Sequence, residues 1–303
     1  MFNSKIVFIL GAGASHEAGF PLGSQLKQII SSKLDLTFNA IDKPTGAGDY
    51  RIADKLTSKF RKEINDYIQA CWNIRDGIIL SDSIDDFIDI HRHDERIAIC
   101  GKLAIAFSII EEERKSKFYF ERHHVDDSIK FNSLGDVWYT KFYSLLTKQI
   151  RKESINNLFE NITIINFNYD RSLEFFLINA ISKNYIINTF EASRIVDTLL
   201  VYRPYGSIDK SVAYGSDRLP DFDNIVSNLK TYTEKVGQTE ELDMVRQAIV
   251  DSKAIVFLGM AYHPNNMSLL RCDTDISNKT IYATRKSISV SGLDVVMNRI
   301  YCL

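Results

Sequence analysis

The run Ile6-Val7-Phe8-Ile9-Leu10 goes straight into Gly11-Ala12-Gly13. A strand that is apolar at every position must be covered on both faces. Strands of a parallel sheet with helices on either side meet that condition. After the glycines, Ser24-Gln25-Leu26-Lys27-Gln28-Ile29-Ile30 has helical spacing. The chain therefore opens as strand, glycine loop, helix. The apolar run is too short for a signal-peptide core, and charged Glu17 follows closely. No other run approaches the ~18 apolar residues of a membrane helix.

The pattern then changes. Residues 39–50 hold Pro44, Gly46 and Gly48 and read as a loop. Ile52, Leu56, Phe60, Ile64, Ile68 and Cys71 recur every three to four residues, which predicts one amphipathic helix. Ser83 is an N-cap with Asp86 three positions on. Ile97 to Ile110 is apolar almost all round, the pattern of a central helix. Glu111-Glu112-Glu113-Arg114-Lys115 reads as its solvated end. Trp138, Phe142, Leu145 and Leu146 mark another helix. No strand pattern appears until Ile162, Ile164, Ile165 and Phe167, followed by a helix from Arg171 to Ser182. Short β-like runs recur at Tyr185 to Ile187, Leu199 to Tyr202, Ala254 to Gly259 and Thr280 to Thr284. Helical patterns lie near 223–235 and 239–251. Alternating strand and helix predicts a Rossmann-like α/β fold, a parallel sheet with flanking helices. Residues 1–30 and 155–303 form that domain, split by a helical insertion at 31–154. There is no internal repeat.

Composition narrows the function. With 37 Lys+Arg against 39 Asp+Glu in 303 residues, the chain lacks the basic excess of a nucleic-acid binder. Cys71, Cys100, Cys272 and Cys302 form no C-x-x-C pair, so they read as reduced thiols in a cytoplasmic protein, and no zinc is expected. His91-Arg92-His93-Asp94 and His123-His124 lack the i, i+4 spacing that brings two ligands to one helix face, so they read as surface residues.

Glycines between a strand and a helix let the backbone approach a pyrophosphate, and the helix N-terminus favours its oxygens. The dinucleotide fingerprint needs a third Gly or Ala at position 16, where His16 stands, so a dehydrogenase fits poorly. The longer stretch Gly11-Ala12-Gly13-Ala14-Ser15, then Ala18-Gly19-Phe20-Pro21, resembles the opening of the sirtuins. Asn166-Phe167-Asn168-Tyr169-Asp170 is similar to their T-Q-N-x-D segment, matching at Asn168 and Asp170. N-Y-D there, His263-Pro264-Asn265, and Ser83-Ile84-Asp85-Asp86-Phe87 in the insertion resemble the bacterial sirtuin-like NAD-hydrolysing proteins of anti-phage defence. Tyr205-Gly206-Ser207 stands where the family has His-Gly, and Ala254 to Gly259 matches the strand ending beside the adenine ribose. The zinc module and the F-R of protein deacylases are absent, with Leu22-Gly23-Ser24 in the latter's place.

The resemblance implies an NAD+ glycohydrolase that releases nicotinamide and ADP-ribose, depleting NAD+ in abortive infection. Gly11, Ala12, Gly13, Ser15, Phe20, Pro21, Gly206 and Gly259 would bind NAD+. Asn168 would meet the ribose hydroxyls or the attacking water. Asp170 would accept from the carboxamide, brace the loop or cap the following helix. Tyr205 would bond a ribose hydroxyl or simply pack; His263 would supply the missing imidazole or hold the turn at Pro264. His16 and Arg203 are candidates for ligand contact, with a solvated side chain the simpler reading of Arg203. The alternative is a degenerate subunit that binds NAD+ or ADP-ribose and regulates a partner. The sirtuin-like domain and its insertion consume nearly the whole chain, so activation is expected through a homo-oligomer or a complex with a separate sensor. No metal, nucleic acid or membrane is expected.

Overall fold

The computed structural model describes residues 2–38, 45–121, 127–232, 234, 239–286 and 288–301. Pro44, His123, His124 and Cys302 lie outside them. The described elements run in chain order β1 (Ile6–Leu10), α1 (Ala12–His16), α2 (Gly23–Lys33), α3 (Tyr50–Lys59), α4 (Ile64–Gly77), α5 (Ile84–Ile90), α6 (Glu95–Lys115) and α7 (Trp138–Thr147). Next come β2 (Ile162–Asn166), α8 (Ser172–Tyr185), α9 (Thr189–Val196), β3 (Leu200–Tyr202), α10 (Phe222–Asn228), α11 (Thr239–Asp251), β4 (Ala254–Leu258), α12 (Pro264–Leu270), β5 (Thr280–Ala283) and α13 (Val290–Tyr301).

The five strands form one sheet in the order β3-β2-β1-β4-β5, with every pairing parallel. This is a Rossmann-like α/β fold. The central strand β1 carries the unbroken apolar run, and Val7, Phe8, Ile9 and Leu10 are all buried. Its register aligns Leu10 with Asn166 of β2 and with Leu258 of β4, so the ends of these three strands lie side by side.

The chain divides into two compact units. One comprises Met1–Phe20, Lys115–Pro204 and Gln238–Leu303 and holds the sheet; the other comprises Pro21–Arg114 and Tyr205–Gly237. The sequence boundaries at 30/31 and 154/155 fall elsewhere, because periodicity reveals an apolar face without revealing what covers it. In the sheet unit, α7 sends Phe142 edge-on to Phe8 of β1 (5.0 Å between ring centres), and Tyr143 donates to the Ala180 carbonyl of α8.

The helical unit closes in the same way around α6, whose residues from Ile99 to Ile110 are buried. The Phe222 ring of α10 lies edge-on to Phe60 (5.5 Å), and Lys102 donates to the Val226 carbonyl (3.1 Å) and to Glu234 (2.8 Å). Burial pushes the Lys102 ammonium below its usual pKa.

Three local expectations need correction. The helix read across 52–71 is two helices, α3 and α4. The turn between them folds the Phe60 ring flat onto Tyr67 (4.1 Å, 12°), so the apolar spacing runs through the break. Glu112 and Glu113 are buried rather than solvated, and Glu113 accepts the Gly215 N–H at 3.0 Å. The β-like run at 185–187 is the end of α8, where Ile186 turns left-handed (φ 52°) and is 85% exposed.

Among the described residues, no helix is long and apolar enough to cross a membrane, and no three His, Cys, Asp or Glu side chains cluster as metal ligands. The His91 ring is engaged by the Phe87 carbonyl at 2.8 Å.

Candidate functional site

In a sheet of order 3-2-1-4-5 the chain reverses direction between the first and fourth strands. Ligands of such folds bind outside the carboxyl ends of the strands at that point. Here the point lies between Leu10-Gly11 and Leu258-Gly259. Gly11 N–H donates to the Leu258 carbonyl and Gly13 N–H to the Gly259 carbonyl, each at 2.9 Å. The two loops pack backbone against backbone. A Cβ on Gly11 would lie 2.7 Å from the Gly259 carbonyl oxygen, and one on Gly13 would lie 2.7 Å from Gly259 Cα. The glycine pattern is thus required for close packing at the switch point, whatever binds there. Ala12 of the same loop faces solvent, at the start of α1.

The rest of the loop is braced by side chains. His16 Nδ1 lies 2.9 Å from the Phe20 carbonyl. Trp138 donates its indole N–H to the Ala14 carbonyl (2.8 Å), while its backbone N–H donates to Glu17 (2.7 Å). Phe20 is buried.

Asn168 sits just past the end of β2 and is buried. Its Nδ2 donates to the Gly11 carbonyl and to Ser15 Oγ, both at 2.9 Å, and its backbone N–H donates to Asn166 Oδ1 at 3.0 Å. The structure therefore unites Gly11, Ala12, Gly13, Ser15, Gly259 and Asn168 in one cluster. Asp170 is buried nearby. Its Oδ1 accepts the Ser172 backbone N–H (3.0 Å), which satisfies an orphan donor of the first turn of α8, and it also accepts the Ser172 hydroxyl.

Arg203, for which the sequence offers ligand contact or, more simply, a solvated side chain, is the clamp of this loop. Its guanidinium donates to the carbonyls of Asn168 (2.9 Å) and Asp170 (3.0 Å) and forks onto both Glu174 oxygens (2.7 and 2.8 Å). Both partners are largely buried, with side-chain exposures of 13% and 18%. Arg203→Gln should therefore cost about 3 kcal/mol, since it leaves Glu174 an unpaired carboxylate. Urea denaturation checks this, and an unchanged midpoint would contradict the clamp. A residue that bonds 29 positions back along the chain leaves no periodic trace in a sequence.

His263 is the N-cap of α12: its Nδ1 accepts the Asn265 N–H at 3.4 Å, with Pro264 in the first turn. Tyr205, Gly206 and Pro21 belong to the helical unit. Tyr205 is 4% exposed, its carbonyl accepts the Lys230 N–H (3.0 Å), and burial, with Asp85, Tyr232 and Asp89, drives its phenol far above the usual range. Gly206 is left-handed (φ 73°) and bridges Leu229.

No protein-family model matches this chain, and no curated protein matches it.

Proposed function

We propose that the protein is an NAD+ glycohydrolase, cleaving NAD+ with water to nicotinamide and ADP-ribose, and that it resembles the bacterial sirtuin-like defence effectors. The observation that carries this reading is the Asn168 amide at the switch point. Both of its N–H bonds are spent on the loop after β1, so its remaining capacity is as an acceptor through Oδ1. A neutral acceptor suits a ribose hydroxyl or an attacking water. Nicotinamide leaves NAD+ as a neutral base from a cationic ring, so departure needs little acid catalysis. The site must orient the ribose and place the water. Gly11, Ala12, Gly13 and Ser15 would face the pyrophosphate, and Gly259 would lie beside the adenine ribose.

The second reading, a degenerate subunit that binds NAD+ or ADP-ribose to regulate a partner, is favoured by one observation. The family position for a basic histidine holds Tyr205, whose buried phenol stays protonated near neutral pH and cannot act as a base. Within the hydrolase reading, Tyr205 packs. Tyr205→Phe is expected to leave NAD+ turnover unchanged, and a clear rate loss would return its hydroxyl to the reaction.

Product analysis decides between the two. The protein is incubated with NAD+, alone and with the proteins encoded beside it, and nicotinamide and ADP-ribose are resolved by chromatography. Release of both supports hydrolysis; tight NAD+ binding without release supports the second reading. Activation through assembly is part of the proposal, and light scattering that finds a fully active monomer removes that part.

A further inference from the structure

From Asn166 to Asp170 polar and aromatic residues alternate, and all five are buried. Asn166 ends β2, in register with Leu10, the residue before the glycine loop. Its Oδ1 accepts the Asn168 backbone N–H at 3.0 Å. A backbone N–H only donates, so this bond fixes which way the Asn166 amide faces. The Gly11 carbonyl fixes the Asn168 amide in the same way, because it only accepts, here from Nδ2 at 2.9 Å.

Each amide is left with one group. Asn168 has spent both side-chain N–H bonds, on Gly11 and Ser15, and keeps Oδ1. Asn166 has spent Oδ1 and keeps Nδ2. That nitrogen has no hydrogen-bond partner among the described residues, and it is not sealed from solvent although the residue is only 3% exposed. The turn that ends β2 uses only the oxygen of Asn166, and a serine or threonine hydroxyl would serve it. The fold makes no use of the nitrogen.

We infer that the Asn166 amide nitrogen donates to the carboxamide oxygen of nicotinamide, a contact that rests on the NAD+ reading of this site. A carbonyl oxygen only accepts. Asn168 Oδ1 and the Asp170 carboxylate, the other polar side-chain groups of the stretch, offer it no hydrogen. The donor also has to be neutral, because the nicotinamide ring of NAD+ is cationic and a lysine or arginine beside it would repel it. Asn166 meets both conditions. Asn168 stays with the ribose or the water, and Asn166 separates nicotinamide from a ligand that ends at the ribose.

Asn166→Thr keeps an oxygen for the Asn168 N–H and removes the amide donor. Two ligands are titrated by calorimetry. One is carba-NAD+, in which a methylene replaces the ring oxygen of the nicotinamide-side ribose and blocks cleavage; the other is ADP-ribose, which lacks the carboxamide. Asn166→Thr is expected to weaken carba-NAD+ about tenfold, the weight of one hydrogen bond, and to leave ADP-ribose within about twofold. Equal loss for both ligands overturns the inference, since it points to the ribose or to a damaged turn. No loss for either makes Asn166 a turn residue and overturns it too. Should Asn166→Thr not fold, wild-type protein labelled with nitrogen-15 at asparagine reads the contact directly. The Asn166 side-chain NH2 signal should then move with carba-NAD+ and not with ADP-ribose, and the lack of a selective shift overturns the inference. If the selective pattern holds but no nicotinamide is released from NAD+, the hydrolase reading falls and the contact stands. Wild-type protein that binds neither ligand overturns both.

Discussion

Gly259→Ala is expected to cost about 2–5 kcal/mol of stability. Gly259 has φ 63°, a left-handed conformation that costs an L side chain roughly 1–2 kcal/mol. The new Cβ would also lie 2.0 Å from Ala14 N and 2.3 Å from Gly13 C, both backbone atoms that cannot rotate away. Relieving that clash means separating the β1 and β4 loops and breaking the Gly13 N–H bond to the Gly259 carbonyl. Overpacking of this kind adds about 1–3 kcal/mol. Such a loss is a large part of the ~5–15 kcal/mol that holds a typical protein folded. Gly23→Ala is the matched control: its Cβ meets nothing within 4 Å, at the first position of α2. It should be neutral or raise stability by about 0.5 kcal/mol. Thermal unfolding of the two variants compares them directly, and similar midpoints would contradict the packing described at the switch point.

Asn168→Ala should act on both stability and turnover. The Gly11 carbonyl and Ser15 Oγ lose their donor in a buried setting, which costs about 1–3 kcal/mol. Removing a preorganised polar contact to the reacting centre typically slows chemistry by a further ~100- to 1000-fold. The stability loss follows from the structure alone and is read in urea; the rate loss depends on the proposed reaction. Asn168→Asp separates donor from size, because a carboxylate offers the Gly11 carbonyl no hydrogen and should destabilise at least as much as alanine.

The sheet was largely legible. All-apolar or nearly all-apolar runs at 6–10, 162–167 and 254–259 correspond to β1, β2 and β4, and the shorter runs near 200 and 280 to the edge strands β3 and β5. Buried parallel strands advertise themselves because both faces must be apolar. The same reasoning failed at 185–187, where Ile186 is left-handed and exposed, so an apolar run there reflects no burial.

In the site, the glycines and Asn168 stand out as residue types with special geometry. Arg203, Tyr139 and Ser172 do not, because what defines them is a partner 29 to 35 positions away. Trp138 reaches farther still, 124 positions back to the Ala14 carbonyl. The burial of Glu113 was hidden for the same reason, since its partner is the backbone of Gly215.

The central claim is that NAD+ is cleaved at the carboxyl ends of β1 and β4 with Asn168 as a polar contact to the reacting ribose or water. Its most direct test is nicotinamide release from NAD+ by wild-type protein and by Asn168→Ala, side by side. Both are held at equal folded concentration, with the neighbouring proteins present in both reactions. Wild-type turnover with a ~100- to 1000-fold lower rate in the variant is the predicted result. Full turnover by folded Asn168→Ala, or no release by the wild-type protein under any of these conditions, would contradict it.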